Sequence, residues 1–161
     1  MDEALRAKIL ELLDQHRIMT IATNRPDGWP QATTVGYCND GLRLYFLCSP
    51  QSQKAANLAK DDRVSLSIDH DTPDPMAIAG LSMAARAQLV GDPAEVSKAL
   101  ELLGAKYPEY AGLPIPSAED IRVFRVTPTV ISVLDYGKGF GHTDLVTLPL
   151  QGRGGALGGR S

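Results

Sequence analysis

No stretch of this chain is rich in lysine or arginine, and the formal net charge is −3 with a pI near 5.6. A nucleic acid or an anionic membrane is therefore a poor partner, since either calls for a basic face. Long apolar runs are missing too: none reaches the roughly 18 residues of a spanning helix. The opening MDEALRAKILELLDQH is too charged for a secretory leader, so the expected compartment is the cytoplasm. Two cysteines, Cys38 and Cys48, agree with reducing surroundings. No second histidine lies near His70 in sequence. The group Asp69, His70, Asp71 and Asp74 lacks the glycine and terminal glutamate of a calcium loop, reads as a solvated acidic loop, and implies no metal. No Ser/His/Asp or Cys/His motif marks a covalent nucleophile, so no catalytic residue is assigned. There is no internal repeat.

What remains is the composition of a globular protein. At 161 residues, 43% hydrophobic and 22% charged, the chain has enough material for one domain with a real core. Residues 1–150 are assigned to that domain and the glycine-rich residues 151–161 to a flexible tail. Residues 2–15 form an amphipathic helix with Leu5, Ile9, Leu12 and Leu13 on one face, and His16 at its end is a favourable dipole partner.

The period then changes to two. Strands are expected at residues 17–23, 29–38, 42–48, 63–68 and 83–90, with a further pair, or one bent strand, on either side of Pro128. Asp92-Pro93-Ala94-Glu95 has the form of a capping box opening a helix that ends before Pro108. This predicts a mainly β fold with peripheral helices, a small antiparallel barrel of about six strands. Taking Asp40-Gly41 as a two-residue hairpin turn pairs Asn39 with Leu42 and sets Cys48 opposite Thr33. The two thiols then lie about five residues apart along the ladder, roughly 17 Å, and no disulfide is expected.

The chemistry concentrates in LYFLCSPQSQKAANLAK, residues 44–60. A strand ends at Ser49 and turns into a helix for which Ser49 is a suitable N-cap and Pro50 a suitable first residue. The unpaired N–H groups of such a helix start, with Ser52 and Lys54 beside them, would stabilise an anion. The same residues also describe an ordinary capped helix with a solvated lysine.

The order of these elements and the residues at the joint resemble the flavin-binding split-barrel superfamily typified by pyridoxamine 5′-phosphate oxidase. The resemblance runs from about Ile9 to Leu134. It is carried by WPQATTVGYCNDGLRLYFLCS, by Ser52, Lys54, Asn57 and Leu58 of the SxKxxNL run, by DRVSLSI from Asp62, and by ARAQLVGDPAEV from Ala85. It implies a homodimeric split barrel holding flavin mononucleotide (FMN) in two equivalent clefts between subunits. The implied flavin wall is Thr33, Thr34 and Val35 on one strand with Leu47, Cys48 and Ser49 on the next. The implied phosphate site is Ser52, Gln53 and Lys54.

Two departures follow from the same comparison. Gln53 stands where the family has an arginine, and Thr33 where the true oxidase has another. Charge-assisted hydrogen bonds are worth roughly 1.5–3 kcal/mol against about 1 for neutral ones, so FMN should bind more weakly unless other groups compensate. The arginine- and tryptophan-bearing end of the true oxidase is also missing, and the single tryptophan is Trp29. Pyridoxamine phosphate is therefore not the expected substrate.

Tyr136-Gly-Lys-Gly-Phe-Gly-His142 reads as a glycine-rich surface loop or as a flap over the partner subunit's flavin, with Tyr136, Phe140 or His142 near the ring and Lys138 near an anionic group. Its spacing fits neither a P-loop nor a dinucleotide fingerprint. The resulting expectation is an FMN-dependent oxidoreductase acting on an unidentified small molecule. Two alternatives stand beside it: the same fold carrying haem, with His142 as ligand, or a deazaflavin; and a non-catalytic flavin-binding sensor or storage dimer.

Overall fold

The computed structural model describes residues 1–149 apart from Ile115 and Ala118, so the tail expected at 151–161 lies outside the described residues. Its elements are α1 (Glu3–Gln15), β1 (Ile18–Asn24), β2 (Pro30–Gly36), β3 (Cys38–Asp40), β4 (Arg43–Cys48), α2 (Gln53–Lys60), β5 (Arg63–Ile68), β6 (Ala79–Leu89), α3 (Pro93–Lys106), β7 (Arg122–Asp135) and β8 (Thr143–Thr147), joined by turns and single 3-10 turns. The strands make one antiparallel sheet in the order β2-β1-β5-β6-β7-β4-β3, with β8 also on β7. One edge of β7 pairs with β4 from Arg122 to Val126 and with β8 from Val130 to Leu134. β2 and β3 are consecutive in sequence yet end opposite sides of the sheet path, so their junction curls the sheet into a split barrel.

The mainly β, split-barrel architecture is as expected, but there are eight strands rather than six. The expected strand over 29–38 breaks at Tyr37. This side chain is fully buried and its hydroxyl donates to Leu13 O and His16 O, while its N–H donates to Tyr107 Oη at 3.1 Å. Gly36 is needed there because an added Cβ would lie 2.9 Å from that same Tyr107 oxygen. The segment around Pro128 is one continuous strand. The ladder with β6 shifts register between Ala84 and Ala85, leaving Thr129 as the extra residue, and its hydroxyl donates to Ala84 O at 3.1 Å. A bulge is a natural place for proline, which has no N–H to give a ladder.

The β3–β4 turn differs from expectation by one residue at each side. Asp40 pairs with Arg43 and Cys38 with Tyr45, so the turn residues are Gly41 and Leu42. Gly41 has φ +60 and Leu42 does not have positive φ, which is the arrangement of a type II′ turn with glycine first. The ladder ends at Cys38, so Cys48 is not opposite Thr33. Both thiols are free.

Alternation along β4 divides the interior. Leu44 and Phe46 face the barrel core, where Phe46 stacks on Phe124 at 5.4 Å between centroids. Tyr45 and Leu47 face a second cluster under α3 that includes Ala99, Leu103 and Val123. α1 contributes Ile9, Leu12 and Leu13 to the main core. Each such apolar side chain gains about 1.5–3 kcal/mol on burial, which makes α1 part of the barrel rather than an appendage. Among the described residues no helix is long and apolar enough to cross a membrane.

Candidate anion and cofactor site

The helix that organises the site begins three residues later than expected. Ser52, not Ser49, is the N-cap: its hydroxyl accepts from Ala55 N–H at 3.1 Å and donates to Ser49 O at 2.8 Å. Ser49 instead starts a turn, its carbonyl accepting Ser52 N–H at 3.0 Å, with Pro50 in the second position that suits its fixed φ. By helix geometry the N–H groups of Gln53 and Lys54 have no partner within α2, and the positive end of the dipole lies there.

α2 is held against the barrel by a buried polar chain. Gln53 Nε2 donates to Asn57 Oδ1 at 2.8 Å, and Asn57 Nδ2 donates to Thr23 Oγ1 at 3.0 Å, with Asn57 and Thr23 both buried. Gln53 thus spends its amide on holding the helix rather than extending it outward as an arginine would. Lys54 is half-buried in the first turn of α2. Burial raises the pKa of the Cys48 thiol, and three groups oppose that rise: the Ser52 hydroxyl, the Lys54 ammonium and the guanidinium of Arg122.

Thr33 and Val35 lie on the half-buried face of β2, and Thr34 on the exposed face. Thr33 Oγ1 is sealed from solvent with no hydrogen-bond partner among the described residues. Leaving a buried hydroxyl unpaired costs about 1–3 kcal/mol, so such an atom is unusual unless a ligand completes it. β2 and β4 run close together at the split without pairing. Leu47 faces away from Cys48 and borders an apolar cavity of about 410 Å³ beneath α3, with Leu103 and Tyr110 among its walls. A capped helix start with Lys54 in its first turn fits a phosphorylated ligand.

The loop from Tyr136 to His142 is placed at the opposite end of β7. Asp135 N–H donates to His142 O, Tyr136 N–H to Ile78 O, and the Tyr136 and Phe140 rings lie 5.7 Å apart, so it is a tied hairpin loop with Phe140 exposed. Lys138 is exposed, and His142 Nε2 lies 3.1 Å from Asp144 Oδ2. Thirteen residues of strand, about 43 Å at the usual rise, separate Arg122 from Asp135, so the loop does not reach Lys54 within one protomer.

One residue and one contact escaped the sequence reading. Arg122 is one, because only the β4–β7 ladder brings it to Cys48. The other relation is His16 with His70, whose Nε2 and Nδ1 are 2.8 Å apart while His16 Nδ1 donates to Leu12 O at 2.7 Å. The bond to Leu12 secures the end of α1, as a dipole partner should, and the contact with His70 ties the loop after β5 to it. The expected capping box is also altered: Asp92 caps α3 through Ala94 N–H, but Glu95 turns away to Arg125 and Tyr45.

Residues 5–135 match the family model described as pyridoxamine 5′-phosphate oxidase. Among solved structures, one similar fold is a Listeria innocua protein provisionally named a pyridoxamine 5′-phosphate oxidase, at 23% identity and TM-score 0.69, covering 81% of this chain and 98% of that one. A haem-binding protein from Mycobacterium smegmatis shares 23% identity at TM-score 0.73, over 91% of this chain but only 58% of its own length. The haem storage protein HutZ of Vibrio cholerae shares 20% identity at TM-score 0.61, over 76% of this chain and 88% of that one. No functionally curated protein matches the chain.

Proposed function

The chain belongs to the pyridoxamine 5′-phosphate oxidase family, and from that premise we propose that it is an FMN-binding flavoprotein working as an FMN-dependent oxidoreductase on a small molecule. The observation that carries the reading is the Ser52-capped start of α2, with Lys54 in its first turn, directly after β4, which lies beside β2, the strand that carries the unpartnered Thr33 hydroxyl. Ser52, Lys54 and the free N–H groups of α2 would hold the phosphate, Gln53 contributing its backbone N–H. Thr33, Thr34, Val35, Cys48 and Ser49 would line the ring, with Leu47 supporting the wall from behind. Bound flavin supplies reversible electron transfer, and the protein positions it and limits its contact with water. Pyridoxamine phosphate is not the substrate in this reading, since Trp29 sits exposed at the β1–β2 turn, far from the role of a substrate-binding tryptophan.

The functional unit is a homodimer. The outward faces of β1, β5 and β6 are aligned in rows of small side chains, Ala22–Ser65–Ala84 and Thr20–Ser67–Ser82, bordered by exposed Ile18 and by Leu145 on β8. A smooth sheet face of this kind suits a self-complementary contact. It also gives the Tyr136–His142 loop a cofactor to cover, that of the partner subunit. Titration of the purified protein with FMN, followed by quenching of flavin fluorescence, tests the reading.

A second reading has one specific support. The Asp144 carboxylate on His142 is the kind of partner that orients a metal-ligating imidazole, and two of the similar folds are haem proteins. A Soret band on haem titration that disappears in His142→Ala would favour haem over flavin.

A further inference from the structure

We propose that the apolar cavity beneath α3 is a binding site for a small uncharged molecule with an aromatic or alicyclic body, separate from the cleft at the start of α2. Its volume of about 410 Å³ lies within the range usual for ligand pockets, about 300–1,000 Å³. The inference does not rest on the flavin reading. Leu47 lines the cavity and Cys48 belongs to the other face of β4, since successive strand side chains alternate. An occupant is therefore separated by the strand itself from a ring lying on Cys48, and is a second ligand rather than the molecule that reacts there.

The walls come from three elements. α3 supplies Leu100 and Leu103, β4 supplies Leu47, and the segment after α3 supplies Tyr110, Leu113 and two prolines. Among the described residues no lining side chain is charged, and Tyr110 has the one side-chain hydrogen-bonding group. An ion placed there would lose its hydration with nothing to replace it, whereas an uncharged apolar molecule gains by leaving water. The rim is preformed. Tyr110 N–H donates to Tyr107 O at 3.0 Å, Leu113 N–H donates to Tyr110 O at 3.1 Å, and the Tyr110 ring lies 5.6 Å from that of buried Tyr107. Tyr110 and Leu113 nevertheless stay 57% and 61% exposed, so apolar surface is held open at the mouth.

Gly104 supplies an independent observation. It lies one turn after Leu100 on the same face of α3 and lines the same cavity. Glycine inside a helix is less stable than alanine. Nothing in the fold asks for it here: its φ is not positive, and a Cβ built on it would meet no atom within 4 Å. The missing side chain leaves open the space beside Leu100. Eight residues line the cavity, against roughly 20–30 a side in a stable protein interface, which favours a small molecule over a second copy of the chain.

The test titrates N-phenyl-1-naphthylamine, uncharged and fluorescent in apolar surroundings, into wild type, Gly104→Ala, Gly104→Phe and Leu113→Asp. Wild type should bind the probe, and Gly104→Ala should bind it as well while melting at a higher temperature. Gly104→Phe fills the space and Leu113→Asp sets a carboxylate at the rim, so each should lose about tenfold or more in affinity. Both positions are exposed, circular dichroism melts check that the variants are folded, and should one fail to fold the other decides. Saturating FMN should leave probe binding unchanged. No binding by wild type, undiminished binding by either folded variant, or displacement by FMN, which would put the probe in the flavin cleft, overturns the proposal. Binding that weakens as protein concentration rises would do the same, with a second copy as the occupant. A protein that ignores FMN but binds the probe in the manner expected loses the flavin reading and keeps this site.

Discussion

Asn57 Nδ2 donates to Thr23 Oγ1 at 3.0 Å, and this buried bond joins the helix that carries Lys54 to the first strand of the barrel. Asn57 also receives the Gln53 amide, so one side chain sets both the position and the pitch of α2. Replacing it by alanine leaves the Thr23 hydroxyl buried without its donor, at a cost of about 1–3 kcal/mol. Asn57→Ala should therefore melt at lower temperature than wild type and bind FMN more weakly. Calorimetry that finds no loss of stability would show that α2 is held by something else.

Lys54→Ala removes a full charge from the half-buried start of α2. FMN affinity should fall by about 10–100-fold while riboflavin binding stays the same. Fluorescence titration checks this, and a parallel fall for riboflavin would place Lys54 at the ring rather than at the phosphate.

Glu95 accepts both guanidinium bonds of Arg125, at 2.7 Å each, and the Tyr45 hydroxyl at 2.8 Å. The Arg125 hydrogen bonds, chiefly, hold its carboxyl down at about 2, below the usual glutamate range. A depressed folded-state value means that the stabilisation is present above the ordinary value and is lost as pH falls from about 4.5 toward about 2. Glu95→Gln should lower stability by about 1–3 kcal/mol at neutral pH, with the difference from wild type closing as the solution is acidified through that range. Urea unfolding at several pH values measures the gap, and a gap independent of pH would exclude the ion pair as its cause.

Ser65→Arg places a charged side chain in the middle of the small-residue rows on the outer sheet face. Light scattering should show the wild-type dimer shifting to monomer in the variant. FMN binding should weaken with it, since each cleft would lose its partner-derived loop. A variant that stays dimeric would move the interface elsewhere.

The pattern of local residues carried much of the fold. α1, α3 and β5 fall where periodicity places them, because spacing of apolar residues and a proline or cap at each end are local properties. The break at Tyr37 was not visible in sequence, since it depends on Tyr107 seventy residues away. The start of α2 was ambiguous for a different reason. Ser49 and Ser52 are both good caps and Pro50 suits either a helix start or a turn, and the helix that forms starts at Ser52 with Asn57 bonded to Thr23 of the barrel. β8 is five residues after a glycine-rich loop, too short to announce itself by alternation. At the site, Ser52 and Lys54 were readable as a motif, whereas Arg122 depends on pairing between strands far apart in the chain.

The most direct test of FMN binding is the absorption spectrum of the purified protein, followed by heat release and identification of the bound molecule. A yellow protein that releases FMN, or takes it up stoichiometrically when supplied, is the expected result. A Soret band from bound haem, or indifference to added FMN with no spectral change and no quenching, would contradict it.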